Sequence, residues 1–166
     1  ANGNPELHPG PCLLHAERIK YSNGEFWVYK EGITPHVINI ITQVQNERLE
    51  LGRALGLELD DARVARVKRG YLEENSTSLD VLFNSSPVFS NIKGPISVDG
   101  RYMTEDISHG LALYSSLGKR LKIPTPASDA IITLGGMLLE RDFFKRVLRF
   151  KNLVLKKWTQ RVWLQQ

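Results

Sequence analysis

The stretch "ITPHVINIITQVQNERLELGRALGLEL", residues 33–59, decides the fold class. Thr34 is a suitable N-cap, and Pro35 fits the first helical position, where a backbone N–H is not needed. Apolar residues then recur at spacings of three, four or seven, at Val37, Ile41, Val44, Leu51 and Leu55. Glycine commonly follows a helix end, as Gly56 does here. The pattern predicts a long amphipathic helix that begins after Thr34 and ends near Gly56.

A second helix start lies in "IPTPASDAIITLGGMLLERDF", residues 123–143. Thr125 can cap this helix and Pro126 can occupy its first turn. The apolar face is expected to hold Ile131, Leu134, Leu138 and Leu139. The pair Gly135-Gly136 inside the helix either weakens it or permits a close crossing with another element.

The rest of the chain is mostly helical in pattern. Weaker helices are expected over residues 61–72 and 78–84, a Ser-, Pro- and Gly-rich loop over 85–100, and a further helix over 104–121. Only "EFWVY", residues 25–29, resembles a strand, and one strand cannot form a sheet. We therefore expect one all-α, multi-helical domain over residues 1–166, with a minor extended element.

Composition limits the class of protein. The chain has 166 residues and 42% hydrophobic residues, which is enough for a packed core. Cys12 is its single cysteine, so an intrachain disulfide is excluded, and no Cys/His cluster has zinc-ligand spacing. We expect a reducing, cytoplasmic setting. The apolar runs are shorter than the roughly 20 residues that span a bilayer, and no export signal is recognised, so no membrane association is expected.

The positive net charge of +4 is concentrated at one end. Residues 143–166 hold seven Lys/Arg and no acid, which leaves fifteen Lys/Arg against eighteen Asp/Glu in residues 1–142. This tail is expected to present a solvated helix face, with Trp158 and Trp163 packed on the domain or forming a contact surface. A module for nucleic acid or anionic lipid stays open as an alternative, although no nucleic-acid-binding motif accompanies the tail.

Among the four histidines, His8 has the most unusual setting. Pro9 favours an extended backbone at His8, and Gly10 allows another group to approach closely, so the imidazole is expected to be rigidly held. His15 has no obvious partner, and His36 lies in a first helical turn, where an imidazolium opposes the helix dipole. His8 is therefore the candidate for proton transfer.

A second candidate stretch is "SVDGRYMTEDISHGL", residues 97–111. One interpretation is structural, with Thr104 as an N-cap and acidic residues in the first helical turn. The functional interpretation is that Asp106 points inward and holds a histidine by a hydrogen bond, while Arg101 binds a carboxylate through its planar guanidinium. The sequence alone does not bring His8 and Asp106 together.

Six motifs in order resemble the C-terminal helical domain of the octopine/nopaline (opine) dehydrogenase family. They are "NPELHPGPCLL", "EGITPHV", "ERLELGRALGLEL", "IKGPISVDGRYMTEDISHGL", "YSSLGKRLKIPTPASDAII" and "LLERDF". Each is short, but their order and spacing are specific and cover nearly the whole chain. The resemblance implies the substrate domain of a two-domain dehydrogenase, similar to the C-terminal domain of 6-phosphogluconate dehydrogenase.

The resemblance also implies an activity and a set of site residues. The family condenses an α-keto acid, commonly pyruvate, with the amino group of an amino acid, and reduces the product with NADH or NADPH. By motif, His8 corresponds to the catalytic acid/base and Asp106 to its carboxylate partner. Arg101 corresponds to a substrate-carboxylate ligand, and Asn4 to a polar position at the mouth of the site.

The chain departs from the family in one respect. It has no G-x-G-x-x-G turn after a strand and no βαβ alternation, so a dinucleotide-binding domain is not recognised in it. We expect NAD or NADP to be bound mainly by an N-terminal Rossmann domain in a longer protein, and the isolated chain to be inactive. A self-standing helical ligand-binding module is the alternative, and a homodimer is left open.

Overall fold

The computed structural model describes residues 2–74 and 77–145, and in these ranges the chain forms helices without a β-strand. In chain order, the elements are α1 (Asn4–Leu7), α2 (Pro9–Leu14), α3 (Ala16–Tyr21), π1 (Val28–Gly32), α4 (Pro35–Ala54), α5 (Ala62–Val67), α6 (Leu79–Ser85), α7 (Arg101–Glu105), π2 (Asp106–Leu111), α8 (Ala112–Leu121) and α9 (Pro126–Leu138). The segments π1 and π2 are π-helical. The expected all-α class is confirmed.

Helix α4 has the boundaries that its sequence predicts. The Thr34 hydroxyl accepts a hydrogen bond from the Val37 N–H, and Gly56 has a φ of +69°, which only glycine adopts without strain. The predicted apolar stripe is buried at Val37, Ile41, Val44 and Leu51. This stripe packs against α1, α2, α8 and α9, so α4 is the central helix of the fold.

Helix α9 begins where expected but is capped differently. Thr125 makes no capping hydrogen bond. Instead, the Glu47 carboxylate of α4 accepts hydrogen bonds from the backbone N–H of Ala127 at 2.6 Å and of Ser128 at 3.0 Å. A charged acceptor from the neighbouring helix makes stronger bonds to these two N–H groups than a hydroxyl would.

The apolar face predicted for α9 is partly wrong. The buried positions are Ile131 and Ile132, whereas Leu134 and Leu138 are 51% and 45% exposed. Because Gly135 lacks a side chain, α9 crosses π2 closely, and a Cβ atom at Gly135 would lie 2.7 Å from Ile107 Cδ1. The close crossing, one of the two roles predicted for the glycine pair, is therefore present at Gly135.

The strand predicted for residues 25–29 is wrong. Val28 begins π1, and both Lys30 N–H and Glu31 N–H donate to the Trp27 carbonyl. The alternating apolar residues are buried by helices instead, since the part of the chain that the structure describes holds no second strand to pair with.

The helix predicted for residues 104–121 begins earlier and is interrupted. Gly100 occupies the N-cap position, so Thr104 is not a cap, and its hydroxyl donates to the Gly100 carbonyl. Residues 101–105 are α-helical, π2 follows, and α8 then runs to Leu121 as predicted.

The two weaker helices are present as α5, which ends at Val67 rather than at the predicted residue 72, and as α6. Residues 86–100 form turns and loop. Most of the basic tail, with Trp158 and Trp163, lies outside the described residues. No helix within 2–74 and 77–145 has the length and apolar character that crossing a bilayer requires.

Candidate active site

His8 joins helices α1 and α2 and is held by both. Its N–H donates to the Asn4 carbonyl and its carbonyl accepts from Cys12 N–H, each at 3.0 Å. The backbone at His8 is helical, with φ −101° and ψ −54°, so the extended conformation predicted from Pro9 is wrong. The two helical hydrogen bonds outweigh the local preference that a following proline imposes. His8 is thereby fixed in the fold, and it is 4% exposed.

The structure brings His8 and Asp106 together across 98 residues of sequence. His8 Nδ1 lies 2.7 Å from Asp106 Oδ2, and both residues are buried. A carboxylate at this distance accepts the Nδ1 proton, which leaves Nε2 as the nitrogen that exchanges a proton. Orienting an imidazole in this way is the arrangement that a histidine acid/base requires.

Asp106 is positioned by the contact between α1 and π2. Gly110 of π2 lies against Pro5 of α1, and a Cβ at Gly110 would lie only 2.2 Å from Pro5 Cγ. Only glycine allows α1 to approach π2 at this distance. Since α1 leads directly to His8 and π2 begins at Asp106, the Pro5–Gly110 contact sets the distance between the two side chains.

Two tyrosines complete the surroundings of His8, and the sequence analysis did not identify either of them. The Tyr29 hydroxyl lies 2.7 Å from His8 Nε2, and the Tyr102 ring stacks on the imidazole with centroids 3.8 Å apart and planes 10° apart. Burial raises the pKa of both phenols. Tyr102 lies in the same motif as Arg101 and Asp106, which is a signal that could have drawn attention to it.

Arg101 and Asn4 lie at the surface. The Arg101 side chain is 84% exposed and donates to both carboxylate oxygens of Glu105, at 2.7 and 3.2 Å. The hydrogen bond to Glu105 raises the pKa of the arginine. Asn4 is exposed, and its backbone N–H donates to the side chain of Asn2. The structure therefore joins His8 to Asp106, while Arg101 pairs with Glu105.

The other histidines have different surroundings. His15 Nε2 lies 3.0 Å from the Gly32 carbonyl oxygen, a partner that the sequence analysis did not foresee, and its ring packs on Phe26. His36 is exposed in the first turn of α4, and His109 is exposed on π2 beside Ser108. Neither His15 nor His36 contacts His8.

A buried ion pair anchors α1. Glu6 Oε2 accepts from Arg48 Nε at 2.8 Å, and Arg66 Nη1 lies 3.9 Å from the other carboxylate oxygen. Burial raises the pKa of Glu6, and the two guanidinium groups oppose this effect. Sequence reasoning did not single out these residues. The pair ties α1 to α4 and α5 two residues before His8.

Asp106 also borders an apolar pocket of about 320 Å³. Its walls carry aliphatic side chains, namely Leu51, Leu55, Leu57, Leu59, Leu113 and Leu117. Arg48, Glu105, His109 and Tyr114 supply polar groups at its surface. The pocket has the composition of a small-molecule site, apolar with a few polar groups.

The described residues do not supply a cofactor fold. They contain no strand, so they cannot build the parallel sheet and glycine-rich turn that bind a dinucleotide. Within the same ranges, no cluster of three or more His, Cys, Asp or Glu side chains could hold a metal ion.

Within the described residues, the structure is an all-α domain with a buried histidine–carboxylate pair. Residues 1–139 match the family described as NAD/NADP octopine/nopaline dehydrogenase, alpha-helical domain. The chain belongs to this family.

Several curated proteins are similar to the chain. It is 35% identical over 161 residues to an opine dehydrogenase of Arthrobacter sp. (strain 1C), covering 95% of this chain and 43% of that protein. It is 26% identical over 155 residues to a vitopine synthase of Allorhizobium ampelinum, covering 92% and 42%. A protein ocs of Agrobacterium tumefaciens (strain Ach5) is 24% identical over 142 residues, covering 86% and 39%. The chain thus spans about two-fifths of the length of these relatives.

Proposed function

We propose that this chain is the substrate-binding and catalytic-residue domain of an NAD(P)H-dependent opine dehydrogenase. The reaction is the reductive condensation of a pyruvate-like α-keto acid with the amino group of an amino acid. The observation that carries the proposal is the buried hydrogen bond of 2.7 Å between His8 Nδ1 and Asp106 Oδ2. Membership of the opine dehydrogenase family supports it.

His8 acts as the acid/base in this proposal. Condensation forms a C–N bond between the amine and the keto carbon, and the carbinolamine then loses its hydroxyl as water to give an imine. The leaving hydroxyl needs a proton, and the His8 imidazolium supplies it. Asp106 stabilises the imidazolium and keeps the Nδ1 proton in place when the ring is neutral.

Arg101 is the proposed ligand of a substrate carboxylate. Its partner Glu105 is 49% exposed, and an exposed ion pair in water contributes little to stability. A substrate carboxylate can therefore replace Glu105 at small cost, and the planar guanidinium can hold it by two hydrogen bonds. Asn4, one residue before Pro5, is proposed to contribute a polar group at the mouth of the site.

NAD or NADP is proposed to be bound by an N-terminal dinucleotide-binding domain of a longer protein, since the described residues do not offer that fold. When bound, the nicotinamide supplies the hydride that reduces the imine. The proposed setting is the cytoplasm, and a homodimer is compatible with the proposal.

The test is mutagenesis in the longer protein that carries both domains. His8→Ala and Asp106→Asn should each lower kcat by roughly 10²–10⁴-fold in pyruvate-dependent NAD(P)H oxidation with amino acids. His36→Ala is the matched control, because His36 is exposed on α4, and it should leave kcat unchanged. The thermal midpoint of each variant reports whether folding is retained.

Near-normal turnover in folded Asp106→Asn would refute the assigned roles. A second test measures by calorimetry whether pyruvate or an amino acid binds to the 166-residue chain. Binding of a ligand to this chain, together with no nucleotide oxidation by the longer protein, would favour the self-standing binding module instead.

A further inference from the structure

One wall of the apolar pocket belongs to the candidate active site. The pocket residues include Glu105 and Asp106, which are adjacent in sequence where α7 ends and π2 begins. Asp106 bonds to His8 at 2.7 Å, and Glu105 bonds to Arg101 at 2.7 and 3.2 Å. A group that fills the pocket therefore lies beside the proposed acid/base pair and beside the proposed ligand of a substrate carboxylate.

Two helices and a loop supply the apolar lining of this pocket. Leu113 and Leu117 are four residues apart on α8, so both lie on the same face of that helix. The end of α4 and the loop after it supply four further leucines. Although they line a pocket, Leu57 and Leu113 are 50% and 41% exposed. A bound apolar group would remove this leucine surface from water, which is favourable.

The charged groups in the described lining disfavour a cationic ligand. Its two carboxylates are engaged within the domain, one by His8 and the other by Arg101. Glu105 is 49% exposed, so its carboxylate remains in water when a substrate carboxylate displaces it from Arg101. Arg48, which also lines the pocket, is 6% exposed and donates to Glu6. A cationic side chain would lose its hydration on entering, gain no ion pair and face a guanidinium, whereas an apolar side chain meets none of these costs.

The size of the pocket suits one side chain. Its volume of about 320 Å³ lies near the lower end of the roughly 300–1,000 Å³ that small-molecule pockets enclose. Charge, lining and volume together point to a small aliphatic group.

We propose that this pocket binds the side chain of the amino-acid substrate and selects aliphatic side chains over cationic ones. The inference rests on the proposed function and names the class of its second substrate. In this arrangement a substrate carboxylate binds Arg101, the new C–N bond forms beside His8, and the side chain lies among the leucines of α4 and α8. These leucines determine specificity and take no part in proton transfer.

The first experiment measures kcat/KM of the longer, two-domain protein with pyruvate and straight-chain amino acids. The series runs from alanine through 2-aminobutyrate and norvaline to norleucine. Burial of one CH₂ contributes about 0.8 kcal/mol, so each added carbon should raise kcat/KM about fourfold. Arginine, whose side chain is long but charged, should be poorer than norleucine by roughly tenfold or more. Equal values along the series, or a preference for arginine, would overturn the proposal.

The second experiment places a carboxylate in the pocket. Leu113→Asp changes a residue that is 41% exposed, so the fold should be retained. The value of kcat/KM for norleucine should fall by roughly tenfold or more, and arginine should gain relative to norleucine. Alanine should be affected little, because its methyl group fills little of the pocket. Leu134→Asp is the matched control, because Leu134 is 51% exposed on α9 and is not a pocket residue, and it should leave the order of substrates unchanged.

The outcomes separate the pocket from the proposed function. If Leu113→Asp lowers kcat/KM equally for alanine and norleucine, another part of the protein or a second copy covers the pocket, and the inference is wrong. Absence of turnover with every amino acid would refute the proposed function itself. Methyl NMR of the 166-residue chain with norleucine then decides about the pocket. Shifts of the Leu113 and Leu117 methyl resonances without a shift at Leu134 would support it, and unshifted resonances at all three would overturn it.

Discussion

Replacing Glu47 by glutamine tests the cap that joins α4 to α9. The carboxylate accepts from Ala127 N–H through one oxygen and from Ser128 N–H and Oγ through the other. A glutamine keeps the shape but offers one oxygen and no charge, so at least one buried donor loses its partner. An unsatisfied buried donor costs about 1–3 kcal/mol, and hydrogen bonds to a charge are roughly twice as strong as neutral ones. We expect Glu47→Gln to lower the free energy of unfolding by about 3 kcal/mol.

Urea unfolding followed by circular dichroism measures this change, and the thermal midpoint should fall by roughly 6–12 °C for a chain of this size. Glu50→Gln is the control, because Glu50 is exposed on the same helix, and its effect should stay within about 0.5 kcal/mol. Equal stability of Glu47→Gln and Glu50→Gln would show that the carboxylate does not cap α9, and the reasoning would be wrong.

Two further predictions concern Cys12 and Gly110. Burial raises the pKa of Cys12 from 9.0 to about 12, so the folded state holds the thiol proton more tightly. The contribution of this thiol to the free energy of unfolding is fully present below pH 9 and should decrease by about 1.4 kcal/mol per pH unit between pH 9 and 12. In urea titrations, Cys12→Ala should show a shallower decline of the unfolding free energy over this pH range. Gly110→Ala should cost about 1–3 kcal/mol by forcing its methyl group against the rigid ring of Pro5. In Gly10→Ala the new methyl meets Ile40 Cγ2 at 3.3 Å and Ile131 Cδ1 at 3.6 Å, both methyl groups of side chains, so a larger loss of unfolding free energy there would contradict this assignment.

The elements with strong local signals could be predicted from the sequence. Thr34, Pro35 and Gly56 define α4 because an N-cap, a first-turn proline and a positive-φ glycine act within a few residues of the helix end. The start of α9 follows from the same chemistry. Its cap could not be predicted, since the acceptor, Glu47, lies 80 residues away and is brought there by tertiary packing.

The candidate site was predictable in its residue types and not in its geometry. His8 and Asp106 were singled out by motif, but their distance depends on the packing of α1 against π2. The rule that a residue before proline adopts an extended backbone gave the wrong conformation at His8. The alternation of apolar and polar residues predicted a strand over residues 25–29, where π1 begins at Val28. Both rules describe a short segment in isolation, whereas hydrogen bonds to Asn4, Cys12 and Trp27 decide these conformations.

Three of the errors of prediction fall at His8 and at its two hydrogen-bonding partners, Tyr29 and Asp106. His8 lies at the junction of two short helices, Tyr29 in π1, and Asp106 at the first position of π2. In a regular α-helix, side chains three and four residues apart share one face, so an apolar stripe places all its members against the core. A π-helical turn or a helix junction shifts this register and directs one polar side chain inward. Local rules that assume regular geometry therefore fail at these three residues, where polar groups converge.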